Sequence, residues 1–167
     1  QNFGEENNGS SFQIVTRPND KTKTFESVKE KCQRKGYDLT IESIRKNILD
    51  VAGIRIITTF RDDIFKIVER IKSLNDVYFE EGEERDYITT PKSNGYRSYH
   101  LIAKVGIHSR HGNALIPIEI QIRSKGMDMW ASVEHIVKYK SNNKPGKEID
   151  DMFAEIATII DDFDQKA

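Results

Sequence analysis

Residues 116–124 read IPIEIQIRS, and the alternation is unbroken: Ile116, Ile118, Ile120 and Ile122 fall on one side, Pro117, Glu119, Gln121 and Arg123 on the other. A period of two over this length predicts a β-strand with one face against an apolar core. Upstream, VAGIRIITTF (51–60) is β-branched and nearly continuous, which predicts a buried central strand. YRSYHLIAKVGI (96–107) predicts another strand, with HSRHGN (108–113) as the hairpin turn that follows it, and VYFEE (77–81) predicts an edge strand. Residues 81–95 between them are charged and rich in turn signals, and read as a long loop.

Helical periods fill the rest. From Thr24 onward Phe25, Val28 and Cys32 recur at three- to four-residue spacing until Gly36 supplies a stop, and a short helix is expected over 41–47. Ile64, Ile67, Val68, Ile71 and Leu74 make one stripe over 62–74. Residues 127–139 return to helix period with Trp130, Val133 and Val137, and 152–163 place Met152, Phe153, Ile156, Ile159, Ile160 and Phe163 on a last helix. Strands and helices in this mixed order give the α+β class: a mixed β-sheet of about five strands flanked by helices, mainly on one face, with the other face left for a ligand. Residues 1–20 read as a polar lead-in or loop continuing from a missing N-terminal segment, 21–140 as the catalytic domain, and 141–167 as a C-terminal helix available for oligomerisation.

The 167 residues carry 26 Lys+Arg against 27 Asp+Glu, a formal net charge of −1. That balance argues against a general nucleic-acid coat protein, which draws affinity from surplus cations. Hydrophobic residues are 37% and charged residues 32%, the proportions of a charged globular domain rather than a disordered chain. The single Cys32 cannot form an internal bridge and points to a reducing compartment. No apolar run approaches membrane-spanning length and no signal-peptide pattern opens the chain, so a cytoplasmic protein without membrane contact is expected.

Several residues could carry chemistry. Glu119 lies in the polar row of its strand, and Asp50 stands just before the other strongly apolar strand. Two carboxylates on neighbouring strands suit a hard cation such as Mg²⁺, although an outward polar face on an amphipathic strand needs no ligand. Arg55 has the opposite parity from Ile54 and Ile56, which directs it to the same polar face. Lys21, Lys23, Lys29 and Lys31 flank Ser27 at the start of a helix, an arrangement that serves either as an anion site or as a solvated surface. No GxxxxGK[ST] loop is present, so a nucleotide must be held another way. Tyr96, Ser98 and His100 share parity after an Asn94-Gly95 turn, beside Lys92 and Arg97. A tyrosine so placed serves as core, as a cross-strand partner or as a platform for a purine. Zinc, cysteine-nucleophile and serine-hydrolase motifs find no support.

Taken together, DVAGIRI (50–56), RDYITTPKSNGYRSYH (85–100), IEIQIRS (118–124) and MDMWASVEH (127–135) resemble the RelA/SpoT-type synthetases, and the short length resembles their small stand-alone members. The resemblance implies a nucleotidyltransferase-like sheet and transfer of the β,γ-pyrophosphate of ATP to the 3′-hydroxyl of GDP or GTP, giving ppGpp or pppGpp and AMP. It implies that Asp50 and Glu119 hold Mg²⁺ and that Glu119 activates the hydroxyl. Lys21, Lys23, Ser27, Lys31 and Arg55 would grip ATP; Tyr96 would stack on guanine, with Lys92, Asn94, His100 and Gln121 on the acceptor side. Lys21 stands where the family usually has arginine, so either Arg17 supplies the planar partner for adenine or ATP is held more weakly. The resemblance also implies a homotetramer and a regulatory alarmone or single-stranded RNA as partner. Relatives that modify tRNA 3′ ends or make adenosine alarmones, and a catalytically silent nucleotide or RNA sensor, remain as alternatives.

Overall fold

The strand that alternates so cleanly becomes β5 (Gly112–Ser124), the middle of the sheet in the computed structural model, which describes residues 12–16, 24–49, 52–75, 77–109, 112–140 and 146–166. On one side β5 pairs in parallel with β2 (Ala52–Thr58), on the other antiparallel with β4 (Tyr99–Ser109). β1 (Phe12–Thr16) and β3 (Val77–Asp86) close the two edges, giving the order β1-β2-β5-β4-β3. The sheet is mixed, as the α+β reading requires.

The isoleucine face is the main core. Ile120 and Ile122 of β5, Ile56 of β2 and Leu101 and Ala103 of β4 meet Ile64 and Val68 of α3 (Arg61–Lys72). Leu74, expected on the same stripe, is exposed because the helix ends at Lys72 and Ser73 caps it. A second core joins α4 (Lys125–Lys140) to α5 (Lys147–Lys166) through Trp130, Ala131, Phe153 and Ala157, and the Trp130 indole donates to the Phe153 carbonyl at 2.8 Å. A third, small core of Val28, Cys32 and Ile48 holds α1 (Phe25–Lys35) to α2 (Ile41–Asn47) and the turn after it. Thr24 and Thr40 cap the two helices, and Gly36 ends the first at φ 69°, as its position predicts.

Three expectations are corrected. Within the segment read as a lead-in, Phe12–Thr16 is an edge strand: Phe12 and Ile14 stand opposite Thr58 and Ile56, an alternation too short to register against its polar flanks. β3 runs on to Asp86 through the stretch read as loop. A register shift between Phe79 and Glu84 interrupts the pairing, after which Lys72 and the Tyr99 hydroxyl both donate to Glu84, at 2.6 and 3.3 Å, and hold the strand to α3 and β4. β4 begins at Tyr99 and not at residue 96, because the preceding turn bends Tyr96 and Arg97 out of the ladder. That turn closes with Gly95 N–H donating to the Lys92 carbonyl at 2.8 Å.

Gly95 sits at φ 87°, and a Cβ there would lie 2.6 Å from the Ala157 methyl and 3.3 Å from the Ala154 Cα of α5. Gly95→Ala is expected to lower unfolding stability by ~2–4 kcal/mol, combining a left-handed backbone penalty with overpacking against a helix backbone. Urea unfolding measures it, and a loss below about 0.5 kcal/mol, the scale of an ordinary surface change, would contradict the seating of this turn on α5.

α5 is also pinned by charge: Asp161 meets Arg61 at 3.4 Å and Arg97 at 3.1 Å, while the Ser124 hydroxyl donates to buried Asp164. Burial, and then the neighbouring Asp161 charge, raise the Asp164 carboxyl above its ordinary value of 3.8, against the opposing Ser124 bond and Arg61 charge. The folded chain therefore holds this proton where the unfolded chain has lost it, so the Asp164 contribution is fully present below the ordinary value and is lost as pH rises through the folded one. Asp164→Asn is expected to gain stability relative to the parent as pH climbs from about 4 towards neutrality. Urea titrations at stepped pH check this; a variant that loses stability relative to the parent as pH rises would sink it.

Candidate active site

The polar face of the sheet is built row by row from the register. Arg55, Gln121 and His100 lie side by side on β2, β5 and β4, and Gly53, Glu119 and Ile102 form the row next to them. Arg123 is the next outward position of β5. The face is far from an ordinary solvated surface: Gln121 is 7% exposed and Arg123 5%.

Five side chains close a hydrogen-bonded circuit on this face. Glu119 Oε1 lies 3.0 Å from His100 Nδ1, and His100 Nε2 lies 2.9 Å from the Tyr96 hydroxyl. Arg123 Nη2 donates to that hydroxyl at 2.6 Å and to Gln121 Oε1 at 3.0 Å, and Gln121 Nε2 returns to Glu119 Oε2 at 2.9 Å. Arg123 is held from behind by Asp128 of α4 at 3.3 Å and by the Ser98 hydroxyl at 3.4 Å. Asp128 also takes Arg55 at 3.1 Å, so one carboxylate serves two guanidinium groups.

The Asn94-Gly95 turn delivers Tyr96. Asn94 Oδ1 accepts the Tyr96 N–H at 3.2 Å, while its amide donates to Glu134 of α4 at 2.9 Å. The Tyr96 ring has the Lys92 ammonium 4.7 Å from its centroid, the Arg123 guanidinium at 5.1 Å and Trp130 at 6.4 Å. Lys92 lies equally over Tyr87, at 4.6 Å.

Above Glu119 opens a cleft of about 600 Å³, lined on the sheet side by Tyr87, Lys92, His100, Ile102 and Glu119, and on the helical side by Lys31, Lys35, Asn47 and Leu49. Glu83 and Arg85 of β3 complete its rim. Of the residues singled out from the sequence, Lys31, Lys92, His100 and Glu119 therefore share one cleft. Tyr96 and Gln121 sit behind it and reach it through the circuit. Asn94 serves the turn, Arg55 is held at Asp128, and Ser27 is exposed on the first turn of α1, its N–H taken by the Thr24 hydroxyl. Arg17, Lys21, Lys23 and Asp50 lie outside the described residues.

Sequence reasoning passed over Tyr87, Lys35 and Arg85 on the cleft wall and Asp128 behind it. Arg123 was visible only as one of a charged row. Its signal was parity, since a residue sharing a strand face with Glu119 and Gln121 shares their neighbours. Among the described residues no group of three or more metal-ligating side chains comes together. The carboxylate oxygens of Glu119 are nonetheless the donor type a hard cation takes, and the residue present fits Mg²⁺ in kind.

The family described as a region found in RelA and SpoT proteins matches residues 20–144. The chain is 40% identical over 146 residues to the GTP pyrophosphokinase YwaC of Bacillus subtilis, covering 87% of this chain and 69% of that protein. It is 38% identical over 144 residues to the GTP pyrophosphokinase YjbM of the same organism, covering 85% and 64%. Among solved structures it resembles the small alarmone synthetase 1 of Bacillus subtilis bound to its product pppGpp, with a TM-score of 0.80 at 29% identity over 92% of this chain and 74% of that one. The small alarmone synthetase 2 of Bacillus subtilis gives 0.78 at 37% identity over 93% and 77%.

Proposed function

This chain belongs to the RelA/SpoT family, and from that premise we propose that it is a GTP pyrophosphokinase of the small alarmone synthetase type. It moves the β,γ-pyrophosphate of ATP to the 3′-hydroxyl of GDP or GTP and yields ppGpp or pppGpp with AMP. The observation that carries the reading is the cleft itself, where Glu119 lies on the floor and Lys31, Lys92 and His100 surround it.

The step needs a base at the acceptor hydroxyl and cations along the phosphates. The 3′-oxygen attacks the β-phosphorus, the bond from that phosphorus to the α,β-bridging oxygen breaks, AMP leaves with that oxygen, and the hydroxyl proton passes to Glu119. Lys31 from α1, with Arg17, Lys21, Lys23, Ser27 and Arg55, grips ATP, and the lysines offset the charge on the leaving AMP. Lys92, Asn94, Tyr96, His100 and Gln121 serve the acceptor: Tyr96 carries the guanine, and Asn94 sets the turn that presents it. Asp50 and Glu119 would hold Mg²⁺, which supplies charge neutralisation at the phosphate oxygens. The chain on either side of Asp50 supports this, since Leu49 lines the cleft and Gly53 stands opposite Glu119.

We place the enzyme in the bacterial cytoplasm as a homotetramer, with an alarmone or single-stranded RNA as a regulatory ligand. The spacing of Met152, Ile159 and Phe163, all exposed along α5, supports self-association. Light scattering at micromolar protein is expected to give four times the chain mass; a monomeric mass would overturn the assembly.

Incubation with ATP, Mg²⁺ and either GDP or GTP, resolved by anion exchange with mass confirmation, is expected to show AMP together with ppGpp or pppGpp. Glu119→Gln is expected to lose about 10²–10⁴-fold in kcat while nucleotide binding stays measurable, the usual range for a lost general base. Undiminished turnover removes Glu119 from that role. If AMP forms only with tRNA or adenosine nucleotides as acceptor, the acceptor assignment falls; if ATP is untouched throughout, the enzymatic reading falls.

A further inference from the structure

The circuit around Glu119 has a direction, and one residue sets it. Arg123 is a permanent donor with no acceptor atom, and the two hydrogens of its Nη2 go to two different arms. Along the first, Gln121 must turn Oε1 to Arg123 and its NH₂ to Glu119. The flipped amide would set NH₂ against a guanidinium and oxygen against a carboxylate.

Along the second arm, the Tyr96 hydroxyl accepts from Arg123 at 2.6 Å, so its own hydrogen points to His100 Nε2 at 2.9 Å. His100 Nε2 is then bare, and Nδ1 carries the hydrogen that goes to Glu119 Oε1 at 3.0 Å. Both arms thus leave one donor nitrogen and end on the two oxygens of one carboxylate.

We propose that Arg123 is a positioning residue, which fixes His100 as the Nδ1–H tautomer and thereby holds the Glu119 carboxylate in one orientation, each of its oxygens accepting one hydrogen bond from the circuit. Arg123 does not touch the cleft; it acts through Tyr96, His100 and Gln121. Its other contacts fit the role, because Asp128, Ser98 and the Tyr96 ring leave the guanidinium a single orientation. The kinetic consequence rests on the proposed pyrophosphokinase reading, whereas the tautomer does not.

Nitrogen-15 and proton NMR of labelled histidine, at mildly alkaline pH and with His100→Asn to assign the signal, reads the tautomer in the full chain. The wild-type His100 is expected to show a protonated Nδ1 and a bare Nε2. Arg123→Lys keeps the charge but not the planar pair of donors, and is expected to give a mixture of both tautomers and a kcat lowered about 10-fold or more, with KM for ATP little changed. Tyr96→Phe removes the link and is expected to give the same mixture, so it decides the question should Arg123→Lys fail to fold. An Nε2–H or doubly protonated His100 in the wild type, or an unchanged spectrum in the folded variants, overturns the proposal. If the wild type shows the expected tautomer but forms no AMP, the positioning stands and the pyrophosphokinase reading falls.

Discussion

A buried guanidinium must have its donors met, because an unpaired charge away from water costs several kcal/mol. Arg123, at 5% exposure, imposes that demand on the centre of this protein. Ser98, Gln121, Tyr96 and Asp128 answer it from a pre-strand segment, a strand, a turn and a helix respectively. Each answer fixes an element. α4 must start so that Asp128 reaches back over β5, and the 92–96 turn must bring its tyrosine inward. The parity that sends Ile120 and Ile122 of β5 into the core on one side is thus the parity that organises polar chemistry on the other.

The same elements tie the site to the C-terminal helix. Gly95 rests on Ala154 and Ala157, and Arg97 pairs with Asp161, so the Tyr96 turn is clamped to α5 from both ends. The opposite wall of the cleft is built differently. α1 and α2 share a small core of Val28, Cys32 and Ile48, separate from the sheet core, and they carry Lys31, Lys35 and Asn47 to the cleft. One wall is therefore part of the main packing and the other a satellite held by its own cluster, a division that puts the lower cost of movement on the α1 side.

Much of this was legible from residues alone. Period two in 116–124, the β-branched run from 51, the stripe of α3 and the Gly36 stop are local patterns with a single physical reading, and they give the sheet and its helices. The misses share a cause: they depend on partners distant in sequence. Phe12–Thr16 becomes a strand because β2 offers an edge, and β3 continues past its bulge because Lys72 and Tyr99 converge on Glu84. Glu119, His100 and Tyr96 were readable as candidates, but the link between them was not, since Arg123 looks like an outward charge until Asp128 is seen to face it.

Charge shows most plainly how a sum can mislead. A net charge of −1 argues against a coat for nucleic acid, yet it says nothing of where the charges lie. Glu148, Asp150, Asp151, Glu155, Asp161, Asp162 and Asp164 all belong to α5, whereas the cleft gathers Lys31, Lys35, Arg85 and Lys92 against Glu83 and Glu119. Low-dielectric walls focus the field of such a cluster, so an anion meets a cationic mouth on a chain that is neutral overall. Asp161 of α5 answers Arg61 and Arg97, and Asp128 of α4 answers Arg55 and Arg123 behind the site, while the lysines line the cleft. Neutrality here is the result of segregation, and segregation is what a cleft for polyphosphate requires.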